Sequence, residues 1–132
     1  MIHVVVGALV REGRVLLGHR SRHKHAFPGV WDLPGGVVEP GETEPEALER
    51  ELREELGVSI DPASASHLCR VVVRPGGVPV TLSAWLVGAW DGTPANAAPE
   101  EHDEIAWLSL ADLPPLAHPH VRAAVVDAAG EP

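Results

Sequence analysis

The apolar positions of this chain come first as dense short runs and later at helical spacing, and each change marks an element. Residues 1 to 10, MIHVVVGALV, are almost wholly apolar and end at Arg11. Such a run predicts a buried strand. It is too short to span a membrane, and it lacks the basic leader of a signal peptide. Arg11-Glu12-Gly13 supplies a turn, and Val15 to Gly18 completes a hairpin. Residues 19 to 32, rich in His and Arg and holding Pro28 and Gly29, predict a loop.

From residue 44 the period lengthens. Leu48, Leu52 and Leu56 recur on one helical stripe. Thr43 followed by Glu46 is a capping-box signature, Pro45 suits a first turn, and Gly57 is placed to terminate, which predicts a helix over 44–56. Gly36 to Glu42 is then the loop leading into it. Farther on, His67 to Arg74 and Val78 to Val87 flank Pro75-Gly76-Gly77 as a second hairpin. Asp91 to Pro99 reads as a connection, Glu104 to Leu108 as a short strand, and His118 to Ala129 as a closing helix. Strands interleaved with two helices imply an α/β fold, a mixed sheet with helices on both sides. No repeat or linker divides the sequence, so one domain over 1–132 is expected.

Composition narrows the classes of function. A chain of 132 residues, 45% hydrophobic, supports one core and is too short for two domains. Its net charge of −9 weighs against binding a nucleic-acid polymer, which rests on Lys and Arg neutralising phosphates. A small polyphosphate held through a cation remains compatible. Cys69 is alone, so no intrachain disulfide can form and a reducing, cytoplasmic compartment is expected.

The helix at 44–56 concentrates the charge. Arg50, Glu51, Glu54 and Glu55 fall on the arc away from the leucines, so three carboxylates and one guanidinium share a face. Glu51 and Glu55 form a like-charge i,i+4 pair, which costs an isolated helix about 0.2–0.5 kcal/mol. One reading is a solvated acidic face braced by Arg50 and Glu54. The other is a site for Mg²⁺ or Mn²⁺, hard cations that take carboxylate oxygen and complete their coordination with water and phosphate. Spacing decides between them. Gly36, Glu42, Arg50, Glu51, Glu54, Glu55 and Gly57 satisfy G-x5-E-x7-R-E-U-x-E-E-x-G-U, with Leu52 and Val58 at the apolar positions U. At ordinary residue frequencies this recurs by chance on the order of 10⁻⁹ per window.

That spacing is the Nudix box, and the chain resembles the Nudix hydrolases, which cleave nucleoside diphosphates linked to another moiety. The resemblance covers nearly the whole chain and implies the family's α/β/α sandwich. It implies that Glu54 and Glu55 bind metal, that Glu51 binds metal or acts as base, and that Arg50 orients Glu51 by an ion pair. It also implies a metal contact from the Gly35 carbonyl and a loop-fixing role for Glu42. Glu51 and Glu54 both stay open as the base, because the choice differs within the family. Glu101, ranked ahead of Glu104, offers a further metal ligand or base; ordinary surface acids are the alternative.

Small size, the WDLPGG run at 31–36 and EHDEIAW at 101–107 look most like the MutT-like branch. In that branch Arg20 would hold phosphate and Leu33 would help form the base pocket. An Asn before the last helix reads an oxidised purine there, and this chain has His118 instead. An imidazole cannot reproduce an amide's paired donor and acceptor. Arg22 and Lys24 are weaker phosphate candidates, and Trp31, Trp85, Trp90 and Trp107 are either stacking surfaces or core. His19, His23 and His25 lack two spaced ligand pairs and a cysteine, which weighs against zinc.

The expected activity is Mg²⁺-dependent hydrolysis of a nucleoside or deoxynucleoside triphosphate to the monophosphate and pyrophosphate. Hydrolysis of ADP-ribose or another nucleotide sugar is the alternative, and a nucleotide-sensing module without turnover is an alternative of another class. The expected partner is a small nucleotide, with no nucleic-acid polymer and no membrane. Homodimers are common among members of the family, although no interface is legible in one sequence.

Overall fold

The computed structural model describes residues 1–24 and 26–129. Its strands are β1 (Ile2–Arg11), β2 (Arg14–Arg20), β3 (Trp31–Asp32), β4 (Gly35–Val37), β5 (Ser66–Val73), β6 (Val80–Val87) and β7 (His102–Ser109). Helix α1 spans Glu44–Leu56 and α2 spans Pro119–Ala129. The sheet runs β3-β2-β1-β6-β5, with β4 paired to β1 and β7 to β2.

β1 organises the sheet because it changes partner along one edge. β6 runs parallel to it from Ile2 to Leu9 on one side. On the other side β4 is antiparallel opposite Val4 to Val6, while β2 pairs only at Val10 and Arg11. β2 then leaves β1 and continues against β7 from Arg14 to Arg20. The resulting gap in the sheet holds the β3–β4 connection.

Alternation along β1 explains why helices cover both faces. Val6 and Ala8 pack with Val15, Leu17, Leu82, Ala84 and the α2 residues Val121 and Val125. Val5 and Leu9 face the other way, onto Leu16 and the α1 residues Ala47, Leu48, Leu52 and Leu56. A period-2 strand with apolar residues in both registers must be covered twice. Among the described residues, no helix is long and apolar enough to cross a membrane.

Two short strands depart from the sequence expectation. The loop expected at 19–32 contains β3 and the end of β2, and Gly35–Val37 is strand rather than the start of a loop. Each new strand has only two or three residues. Their pairing depends on distant partners, so no local period announces them.

Helix α1 follows its local code. The Thr43 hydroxyl accepts the Glu46 N–H at 3.2 Å, and the Glu46 carboxylate accepts the Thr43 N–H at 2.9 Å. Gly57 closes the other end at φ 72°, donating its N–H to the Arg53 carbonyl at 3.0 Å. At the first turn, buried Glu44 accepts hydrogen bonds from Arg70 at 2.7 Å, Ser83 at 2.8 Å and Trp85 at 2.9 Å, and also from His3. This carboxylate ties α1 to β1, β5 and β6.

Candidate active site

The last two turns of α1 face a cleft of about 590 Å³. Glu51, Glu54 and Glu55 line one wall, with Gly35, Gly36 and Val37 of β4 beside them. Arg20, Lys24 and Phe27 come from the end of β2 and the loop after it, and Glu101 and His102 from the start of β7. Asp32, Leu33 and His118 complete the part of the cleft near the gap in the sheet.

Arg50 organises the acidic wall. Its Nε donates to Glu42 Oε2 at 2.7 Å and its Nη2 to Glu42 Oε1 at 3.0 Å, a two-pronged contact that fixes the loop before the helix. Nη2 also donates to the Val37 carbonyl at 2.9 Å. Nη1 reaches Glu51 at 3.0 Å and Glu54 at 3.5 Å. Most of the guanidinium therefore secures Glu42 and β4, and one nitrogen orients Glu51.

The three acids differ in surroundings. Glu54 is open to solvent, its side chain 57% exposed. Glu51 is largely buried, and that burial, followed by the neighbouring Glu55 carboxyl, pushes its carboxyl up to about 7 despite Arg50. Glu55 is buried against His102, whose Nε2 lies 3.0 Å from Oε1.

This donor set suits a hard divalent cation. It offers carboxylate oxygens whose mutual repulsion only one nearby guanidinium relieves. Gly36 keeps the approach open, since a Cβ there would strike the Glu51 carboxyl, and one on Gly35 would strike the Val5 carbonyl. Among the described residues, no three His, Cys, Asp or Glu side chains already converge on one point. A cation at this wall would need further ligands beyond these side chains, from backbone, water or phosphate.

Across the cleft the basic residues are partly committed. Arg20 donates from Nε and Nη2 to the Ala26 carbonyl at 2.9 and 2.7 Å, and from Nε to the Phe27 carbonyl at 3.2 Å. It shapes the 21–29 loop while its charge faces the cleft. Lys24 pairs with Glu101 at 2.7 Å, so the acid expected as a metal ligand is held by an ammonium. Glu104 lies along β7 opposite His19 and does not line the cleft.

Apolar residues also line the cleft, beside the half-buried His118 and the buried Asp32. Leu33 is buried, and His118 sits edge-on to Phe27 with ring centroids 4.6 Å apart. Burial, with the Arg20 charge, holds the His118 imidazole below its ordinary value. Asp32 is buried too, and burial pushes its carboxyl up to about 6 against the pull of the Leu33 N–H and of Arg20 and His102. None of the four tryptophans lines this cleft. Trp90 and Trp107 stack at 5.8 Å with Arg11 over Trp90, Trp85 bonds Glu44, and Trp31 packs against the core. Phe27 is the aromatic that lines the cleft. His19 is 3.4 Å from Asp103 and edge-on to Trp31, and His25 lies outside the described residues.

Sequence reasoning missed Asp32, His102 and Phe27. Asp32 and His102 stand inside WDLPGG and EHDEIAW, but their burial comes from the β2–β3 and β2–β7 pairings. Phe27 carries no sequence signal beyond being the sole phenylalanine.

Residues 1–128 match the NUDIX domain. Over 111 residues the chain is 38% identical to the CTP pyrophosphohydrolase of Escherichia coli (strain K12), covering 83% of this chain and 76% of that one. It is 37% identical over 110 residues to the putative 8-oxo-dGTP diphosphatase 2 of Mycobacterium tuberculosis (strain ATCC 25618 / H37Rv), covering 83% and 74%. The crystal structure of a MutT NUDIX hydrolase from Burkholderia pseudomallei matches the fold with a TM-score of 0.81 and 33% identity, over 94% of this chain and 95% of that one.

Proposed function

The chain belongs to the Nudix family of pyrophosphohydrolases, and we propose that it hydrolyses a nucleoside triphosphate to the monophosphate and pyrophosphate with the help of Mg²⁺. The observation that carries this reading is one cleft that holds the box acids Glu51, Glu54 and Glu55 together with the basic Arg20 and Lys24 and the apolar Leu33 and Phe27. That combination offers acids for a cation, cations for phosphate and apolar surface for a base.

Glu54, Glu55 and Glu51, with the Gly35 carbonyl, would hold the cation. Once bound, it supplies charge neutralisation at the phosphates. Glu51 is the favoured base in this reading, because a carboxyl raised to about 7 both accepts and returns a proton near neutral pH. Arg50 keeps it in place. Arg20 provides a positive field for the phosphate chain, and Lys24 does so once it exchanges Glu101 for substrate. Glu101, released from Lys24, would be available as a further ligand.

At the base end, Asp32 is an acceptor for an exocyclic amine, a group that cytosine and guanine both carry. His118 adds an imidazole edge beside Phe27. The lone thiol of Cys69, partly buried in β5, suits a reducing cytoplasmic compartment. A Mg²⁺-dependent screen of CTP, dCTP, 8-oxo-dGTP, the other nucleotides and ADP-ribose, with products identified, tests the proposal. Pyrophosphate with a monophosphate is the expected product; AMP with ribose phosphate, from ADP-ribose in preference to any triphosphate, overturns it.

A further inference from the structure

His102 is buried, and nothing in the proposed chemistry yet uses it. Its Nε2 lies 3.0 Å from Glu55 Oε1. Where the Glu55 carboxylate accepts, Nε2 is the donor of this bond. The ring's other nitrogen, Nδ1, is buried with no partner among the described residues. The imidazole therefore makes one side-chain hydrogen bond, and it is to Glu55.

The surroundings are built around this ring. Gly18 sits inside β2, where a glycine weakens a strand unless something needs the space. A Cβ at Gly18 would run into the His102 ring, coming within 2.7 Å of Cε1 and 2.8 Å of Cγ. The His102 carbonyl accepts the Asn96 side-chain amide at 2.9 Å. The segment before it is stapled to the end of α1 by Ala97 N–H to the Glu55 carbonyl at 2.9 Å and Ala95 N–H to the Leu56 carbonyl at 3.0 Å. Backbone and side chain of Glu55 are thus both held by the stretch that ends in His102.

We propose that His102 is a positioning residue for the cation: it fixes Glu55 by occupying Oε1, so that the remaining carboxylate lone pairs are presented to a metal in the cleft. The inference rests on the reading that Glu55 is a metal ligand. Hydrogen-bonded partners of ligating carboxylates are typically worth about 10–100-fold in metal affinity.

The test is Mn²⁺ binding to the substrate-free protein, followed by electron paramagnetic resonance, in four variants. His102→Leu removes the donor. His102→Asn keeps an amide but stops short of Glu55, while His102→Gln places its amide N–H near the position of Nε2. Glu55→Gln reports whether Glu55 binds metal at all. The expected result is Mn²⁺ affinity about 10–100-fold weaker in His102→Leu and His102→Asn, and close to wild type in His102→Gln. Unchanged far-UV circular dichroism separates this from a folding defect, and His102→Asn stands in if His102→Leu does not fold. Wild-type affinity in His102→Leu and His102→Asn, with affinity lost in Glu55→Gln, overturns the role of His102 alone. Wild-type affinity in Glu55→Gln overturns the metal assignment, and this inference with it.

Discussion

The two ends of α1 carry the same residue type in opposite conditions. Glu44, in the first turn, is buried and meets four donors from three strands. Burial alone would raise its carboxyl, but Trp85, Ser83, Arg70 and His3 together bring it down to about 2. Glu51, two turns later, is pushed up to about 7 by burial and by Glu55, with one arm of Arg50 in opposition. Burial acts in the same direction at both ends; the supply of donors differs. The N-terminal end of the helix is complete without any ligand, and the C-terminal end has acceptors to spare. One end serves the fold, and the other is the end a cation would complete.

The largest expected effect separates these roles by activity. Glu54→Gln removes an exposed carboxylate from the open end, and turnover should fall by orders of magnitude as the cation's neutralisation of the phosphates is lost. Its stability should change by no more than about 0.5 kcal/mol, as for an ordinary surface site. Steady-state rates beside a urea melt check both. Near-normal turnover would remove the box from the chemistry and end the comparison.

Next in size is the reverse case. Glu44→Ala strips the acceptor from the buried Ser83 hydroxyl and the Trp85 indole N–H, which should cost about 1–3 kcal/mol of stability. Turnover per folded molecule should hold. The acid limb follows from the same network: a carboxyl depressed to about 2 contributes stability above its ordinary range near 4.5 and loses it as pH falls through about 2. A wild-type acid unfolding curve that Glu44→Ala leaves unmoved would show that the four donors do not act as a unit.

How much of this was legible in the sequence follows the same division. Helix α1 was readable to its last residue because Thr43, Glu46, Pro45 and Gly57 act within one turn of the residues they cap. The acidic face was readable because spacing alone puts Glu51 and Glu55 together. Glu44 gave no sign of its role, since its donors arrive from residues 3, 70, 83 and 85. His102 and Asp32 were hidden for the same reason: a lone His or Asp becomes notable only when distant strands bury it. The proposed base pocket fared worst. Phe27 and His118 meet across more than ninety residues, and the tryptophans, which sequence left open between stacking surface and core, lie outside the cleft.

The smallest expected effect is also the most specific, and it concerns the metal-free protein between pH 5 and pH 8. A carboxyl whose folded value is raised from about 4.5 to about 7 binds more protons in the native state than in the unfolded chain over that interval. Stability must then fall as pH rises through it. Glu44 contributes nothing there, because it is ionised in both states. With EDTA present, the melting temperature should decline from pH 5 to pH 8 by the equivalent of roughly 0.5–1 kcal/mol, the scale of a partly screened like-charge pair. Glu51→Gln should remove the part of the decline nearest pH 7 and leave the part due to Asp32, whose buried carboxyl is raised to about 6. Excess Mg²⁺ should flatten the decline near pH 7 in the wild type as well, because a cation that binds only the native state favours the ionised form and raises stability most where protons compete least. A decline that Glu51→Gln leaves unchanged in size would assign the whole titration to Asp32, and would leave the open end of α1 no more strained than the closed one.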